Sequence, residues 1–166
     1  MERIAKFEKV SEGMFLDALE ELGIPIYAGD VAYNNLELPT RATSGSAGYD
    51  FHTPLCIHLE PGQSVIIPTG VRCRMNPGWM LMLVPKSGLG FKFRLMMDNT
   101  VGIIDSDYYF SDNEGQMRIK MTNFGDKVID LNENAKIAQG IFIPYGITED
   151  DNAAGKRNGG FGSTGE

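Results

Sequence analysis

Apolar positions recur along this chain with two different periods. Between Ser11 and Gly23, Phe15, Ala18, Leu19 and Leu22 fall three and four residues apart, on one face of a helix. Ser11 carries the hydroxyl that caps free N–H groups, and Glu12 suits the positive end of the helix dipole. Gly23 fits a left-handed stop and Pro25 blocks continuation. The spacing predicts one amphipathic helix over 11–22, packed on the outside of the domain. Further on the period becomes two. Val71, Cys73 and Met75 alternate with Arg72 and Arg74, and Met117, Ile119 and Met121 alternate with Arg118, Lys120 and Thr122. Each pattern predicts a strand with one buried and one wet face. Cys56–Leu59, Ser64–Pro68, Trp79–Val84, Val128–Leu131 and Ile137–Ile143 are further strands. Pro61-Gly62, Asn76-Pro77-Gly78 and Asn132-Glu133-Asn134 are the turns between them. Many short strands with almost no helix imply an all-β sandwich, jelly roll or barrel.

Composition narrows this picture. The 166 residues suit one domain, and 42% apolar with 22% charged residues excludes a disordered chain. The longest apolar run, Trp79 to Pro85, falls far short of the ~20 residues of a membrane helix, so no membrane partner is expected. The first residues lack the order of a signal peptide. Two cysteines, Cys56 and Cys73, are too few for a disulfide scaffold and fit a reducing cytoplasm. A net charge of -7 argues against a nucleic-acid partner. An anionic small molecule is still compatible with it, since salt screens distant charge beyond ~10 Å. The tail from Thr148 to Glu166 is acidic, then basic, then rich in Gly and Ser, the composition of a flexible end.

Candidate chemistry is scattered. His52 and His58 are isolated and the cysteines form no C-x-x-C pair, so there is no zinc signature. Pro85-Lys86-Ser87-Gly88-Leu89-Gly90 follows the most apolar strand. It is not a Walker A loop, because Pro85 replaces the required glycine and a helix would have to follow. A lysine, a serine hydroxyl and backbone N–H groups at a strand end can still hold phosphate. Asp105-Ser106-Asp107 is a D-x-D that could supply a base or touch a metal, or be only a polar turn. Asn99 just before it offers an amide that can read a nucleobase edge.

The order of these pieces is more specific than any one of them. Ala47-Gly48-Tyr49-Asp50-Phe51, Pro85-Lys86-Ser87-Gly88-Leu89-Gly90, Gly102-Ile103-Ile104-Asp105-Ser106-Asp107-Tyr108, Lys136-Ile137-Ala138-Gln139 and Gly159-Gly160-Phe161-Gly162-Ser163-Thr164-Gly165 follow one another. The chain from about Leu36 onward resembles the homotrimeric dUTPase family in these five motifs. The resemblance implies a jelly-roll-like β-barrel subunit with one N-terminal helix. It divides the chain into a helix-containing extension (1–34), a β domain (35–147) and a C-terminal arm (148–166). It also implies a homotrimer with sites at subunit interfaces, dUTP as substrate and Mg²⁺ as cofactor.

The resemblance further implies a role for each matching residue. Asp105 would activate the water that attacks the α-phosphorus. The Tyr108 ring would lie under the deoxyribose and leave no room for a 2′-OH. Asn99, Gly102, Ile103 and Ile104 would pair with uracil. Lys86, Ser87, Gly88 and Gln139 would bind phosphate, and Asp50 would stand near the metal through water. On the arm, Phe161 would stack on uracil, while Gly162, Ser163 and Thr164 approach the phosphates. Lys156 or Arg157 would supply the arm's cation, with Arg157 preferred for its planar fork.

The chain departs from the family pattern in several places. Lysine stands at Lys86 where arginine is usual, and Gly140 follows Gln139 where a bulkier residue is usual. Tyr109-Phe110-Ser111-Asp112-Asn113-Glu114 interrupts the third motif before Gly115, an insertion of about five residues. The plain expectation is a longer hairpin tip on the surface. The alternative is a changed pocket rim or a partner-binding loop, since Tyr109 and Phe110 are costly to leave bare. A regulatory dUTP-binding protein therefore stands as a second reading. A dCTP deaminase of the same fold is a third, opposed by Lys120, which stands where that family carries its catalytic glutamate.

Overall fold

A computed structural model of the chain describes residues 2–25 and 29–159. Strand β1 (Ala5–Lys9) leads into helix α1 (Glu12–Glu21), and a second helix, α2 (Gly29–Asn34), follows. Then come β2 (Thr40–Arg41), β3 (Tyr49–His52), β4 (Ile57–Leu59), β5 (Ser64–Pro68), β6 (Val71–Met75) and β7 (Trp79–Pro85). Helix α3 (Ser87–Phe93) separates β7 from β8 (Leu95–Met97) and β9 (Gly102–Ile104). A 3-10 helix (Ser106–Phe110) precedes β10 (Arg118–Asn123), β11 (Ile129–Leu131) and β12 (Lys136–Pro144).

The strands form antiparallel sheets. The largest has the order β2-β3-β12-β7-β9, a second runs β5-β10-β8, and the pairs β1-β6 and β11-β4 complete the described pairings. The alternation read in the sequence is the burial pattern observed. Val71, Cys73 and Met75 point into one core with Ile119, Met121, Leu81, Leu83 and Phe51. Burying a side chain of this size contributes about 1.5–3 kcal/mol. Gly140 lies under this core: a Cβ there would come within 2.8 Å of Leu81 and 2.9 Å of Phe51. A bulkier residue at this position would clash with these two side chains.

Helix α1 is capped as its sequence requires, with the Ser11 hydroxyl accepting from the Met14 N–H and Gly23 at φ 68°. Phe15 and Leu19 form a satellite core with Val10, Ala32 and Leu36. The first residues also contribute a β-strand, because β1 pairs with β6 from Ala5↔Met75 to Lys9↔Val71.

The expectation of a single helix is corrected: α2, α3 and the 3-10 helix are also present. Neither α2 (Gly-Asp-Val-Ala-Tyr-Asn) nor α3 (Ser-Gly-Leu-Gly-Phe-Lys-Phe) is rich in strong helix formers. Packing holds α2, where Ala32 is buried and the Tyr33 hydroxyl donates to the Val10 carbonyl at 2.7 Å. The helix absent from the sequence reading after Lys86-Ser87 is α3, which ends with Arg94 in the left-handed region.

The surface-tip expectation for the insertion is also corrected. Tyr109 donates to Glu8 on β1 at 2.6 Å, and the Arg72 guanidinium sits 4.5 Å from its ring centre. Glu114 accepts from the Ser11 backbone N–H at 2.8 Å. The loop is docked on the N-terminal strand and helix, and of its two aromatic residues only Phe110 stays exposed.

Candidate active site

A cavity of about 450 Å³ opens beside β9. Leu83, Met97 and Met117 form its apolar floor, and Asn99, Gly102, Ile103 and Ile104 supply one wall. Tyr108 forms part of the wall, Asp105 lines it more openly, and Arg118, Lys120 and Arg157 add positive charge. Among the described strands β9 pairs only with β7, through Leu81↔Ile104, Met82↔Ile103 and Leu83↔Gly102. The other edge of this backbone is therefore available to pair with a planar ligand, as any sheet edge is.

Tyr108 is buried at the cavity wall. Its hydroxyl donates to the Gln116 carbonyl at 2.7 Å and accepts from the Asn113 side-chain amide at 2.8 Å. Burial raises its pKa, so it is a neutral ring here. Asp105 is the residue before the 3-10 helix, in an extended conformation, with its side chain 43% exposed. Arg157 reaches it from the C-terminal segment: the guanidinium bonds Asp105 with one nitrogen and Asp107 with another, at 3.0 Å for Asp107. The D-x-D thus holds a guanidinium in this chain. Of the two arm cations, Arg157 enters the site and Lys156 is exposed.

A second polar cluster involves β3, β12 and the residue following β7. Asp50, 3% exposed, accepts from Lys86 at 2.5 Å and from Lys136 at 2.8 Å. Burial alone would raise its pKa, but the hydrogen bonds from Lys136 and Lys86 more than offset it and hold the carboxyl below its ordinary value. Gln139 is the Cα partner of Asp50 across the β3–β12 ladder, and Ser87 and Gly88 open α3 beside Lys86. Lys136 belongs to the quoted fourth motif, yet sequence reasoning gave it no role. A lysine opening a strand after a polar turn carries no signal of a buried partner 86 positions earlier.

These two clusters do not meet. The β7–β9 register sets Ile104 beside Leu81, so Asp105 continues toward position 80, while Lys86 lies just past the other end of β7. Six residues of strand separate the two levels by about 20 Å. One chain therefore holds the second-motif and third-motif residues apart, at opposite ends of β7. Phe161, Gly162, Ser163 and Thr164 lie outside the described residues.

Other residues of the cavity were not anticipated as lining it. Lys120 pairs with Asp98 at 3.0 Å, and Asp98 also accepts from Thr122 at 2.5 Å, which anchors the turn carrying Asn99. Among the described residues no group of three or more His, Cys, Asp or Glu converges to cage a metal. Among the described residues no helix is long and apolar enough to cross a membrane.

The antiparallel β fold thus places a strand edge, an aromatic ring and a carboxylate around one small cavity. The dUTPase family model matches residues 34–165. The deoxyuridine 5′-triphosphate nucleotidohydrolase of Lactococcus lactis subsp. lactis is 38% identical over 133 residues, 78% of this chain and 89% of that protein. The crystal structure of dUTPase from Streptococcus mutans matches with TM-score 0.63 and 36% identity, covering 70% of this chain and 91% of that one. A variant dUTPase from phage phi11 of S. aureus, in which a structural Mg(II) ion is coordinated, matches with TM-score 0.65. It covers 91% of this chain and 97% of its own, but at 20% identity it is a likeness of fold. This chain belongs to the dUTPase family.

Proposed function

We propose that the chain hydrolyses dUTP to dUMP and pyrophosphate, which limits uracil in DNA and supplies dUMP. The observation that carries this reading is the cavity that joins an open strand edge, a fixed aromatic wall and an accessible carboxylate. Uracil presents acceptor, donor and acceptor along one edge. The backbone of Gly102–Ile104 and the Asn99 amide can answer that pattern, and cytosine would invert it. A site built on such bonds rejects the wrong pattern by up to ~10⁴–10⁵. The Tyr108 ring packs against deoxyribose and excludes a 2′-OH.

Asp105 orients a water in line with the α-phosphorus and accepts its proton as the pyrophosphate leaves. Before that step Arg157 must release Asp105, and the triphosphate is the stronger competitor for its guanidinium. When bound with the triphosphate, Mg²⁺ would supply charge neutralisation to the pyrophosphate leaving group. Asp50, which holds Lys86 in place, would stand near that ion through water.

The separation of about 20 Å along β7 is the reason to assemble the site from several copies. One chain gives Asn99, Gly102–Asp105 and Tyr108, and a second gives Lys86, Ser87, Gly88 and Gln139 to the phosphates. A threefold trimer closes such a head-to-tail arrangement. The arm then covers the nucleotide with Phe161 on uracil and Gly162, Ser163 and Thr164 at the phosphates, excluding water. Lys120 in the cavity wall opposes deamination, which needs a carboxylate where this ammonium stands.

Pyrophosphate release from dUTP, dCTP, dTTP and UTP, measured side by side with Mg²⁺, tests the reading. Release from dUTP alone with dUMP as product is expected. Binding of dUTP without release would leave a regulatory binder, and ammonia release from dCTP would make the chain a deaminase.

A further inference from the structure

The insertion after Tyr108 connects the cavity to the N-terminal strand and helix. Asn113 donates to the Tyr108 hydroxyl and accepts from the Gly115 N–H at 3.1 Å, so one side chain fixes both ends of the loop. The loop has no slack. Glu114 lies at φ 56° and Gly115 at φ 72°, and a Cβ on Gly115 would come within 2.7 Å of the Tyr108 carbonyl oxygen. Glu114 then clamps the first turn of α1, accepting from the Ser11 N–H at 2.8 Å and the Ser11 hydroxyl at 2.6 Å. Its negative charge stands at the positive end of the helix dipole. Gln116, whose carbonyl receives the Tyr108 hydroxyl, donates its own amide to the Met14 carbonyl at 3.1 Å. The two residues that flank Gly115 are therefore both tied to α1.

We propose that the β1–α1 unit is a remote determinant of sugar selectivity, acting through Glu114 and Gln116 to fix the loop that holds the Tyr108 ring. This rests on the reading of the cavity as a deoxyribonucleotide site. A ring excludes one oxygen atom only if it cannot retreat by a fraction of an ångström, and a bare loop of this length would let it retreat. The N-terminal unit lies outside the nucleotide cavity and supplies the rigidity the loop lacks. Ser11 and Glu114 are positioning residues in this account, and Tyr108 is the contact residue.

The test compares kcat and KM for dUTP and UTP in the wild type and in Ser11→Ala, Ser11→Thr and Glu114→Ala, with the melting temperature of each. The ratio of kcat/KM for dUTP over UTP is expected to fall about tenfold or more in Glu114→Ala and by less in Ser11→Ala. The Ser11→Thr protein, which keeps the hydroxyl, should recover the wild-type ratio. Most of the change for dUTP should lie in KM, because Asp105 is untouched. If Glu114→Ala does not fold, Ser11→Ala carries the test, since it removes one exposed hydroxyl. Lower melting temperatures with an unchanged ratio overturn the proposal and leave the clamp purely structural. A wild type that does not prefer dUTP over UTP overturns the functional reading, and the proposal falls with it.

Discussion

Asp105 and Asp50 are the same residue type placed in opposite kinds of surroundings. Asp105 stands where a strand passes into a 3-10 helix, its side chain 43% exposed and paired with one guanidinium from a distant segment. Asp50 lies inside a sheet, its side chain 5% exposed, and it bridges two lysines that come from different strand ends. A buried carboxylate stays charged only when it is paired. Asp50 is therefore committed, and its effect is to fix where Lys86 and Lys136 stand. Asp105, half-exposed with its partner on a distant segment, is free to exchange that partner, which the proposed role of base requires.

The largest effect that sharpens this contrast is expected from Asp105→Asn. Turnover of dUTP should fall by ~10²–10⁴, the usual worth of a positioned base. Nucleotide binding and melting temperature should change little, because a half-exposed ion pair contributes modestly. Steady-state kinetics with calorimetric binding of a non-hydrolysable dUTP analogue decides it, and undiminished turnover would remove Asp105 as the base.

Asp50→Asn should act chiefly on stability. The amide keeps the shape but turns an N–H₂ toward an ammonium, at a cost of about 1–3 kcal/mol. For a chain of this size that lowers the melting temperature by roughly 2–12 °C. The pH dependence has a definite sign. The folded carboxyl titrates below its ordinary value, so on acidification the unfolded chain takes up the proton first. The stabilisation is complete above about pH 4 and is lost as pH falls through the folded value. The difference between wild type and Asp50→Asn should therefore shrink in acid, and a difference that grew there would contradict the assignment.

How far the sequence foretold this contrast differs from place to place. The Ser11 cap, the Gly23 stop and strands β5 and β6 were legible because periodicity and capping are local. The motif order pointed to Asp50 and Asp105 through resemblance, but not to the register that sets Asp50 level with Val84 and Asp105 with position 80, about 13 Å apart along β7, since register is set by pairing across the chain. Helix α3 was invisible because two glycines and two phenylalanines in seven residues carry no helical preference. The docking of Glu114 on Ser11 was equally hidden, being a contact between residues 103 positions apart.

Arg157 offers a smaller and more pointed test, because in this chain it neutralises the carboxylate proposed as the base. Arg157→Ala is expected to raise KM for dUTP about tenfold, the loss of one charge-assisted pair with phosphate, and to lower kcat less than Asp105→Asn does. Lys156→Ala should change KM by less, since Lys156 is exposed and lines no part of the cavity. Turnover faster than wild type in Arg157→Ala would reduce the arginine to a plug on Asp105.

The smallest expected effect supplies the exposed reference for the comparison. His58 on β4 bonds Asp130 on β11 at 2.7 Å, and both side chains are open to solvent. The hydrogen bond to Asp130, followed by that to Glu60, raises the histidine's pKa. The sign is opposite to that of Asp50. The folded protein holds this proton more tightly than the unfolded chain, so the contribution is complete below about pH 6.5 and is lost as pH rises through the folded value. Asp130→Asn should lower the melting temperature by about 1 °C at pH 6 and by less at pH 8.5, because exposed pairs are weak. A larger fall than Asp50→Asn produces would mean that burial does not set what a carboxylate contributes here, and the contrast between Asp50 and Asp105 would lose its physical basis.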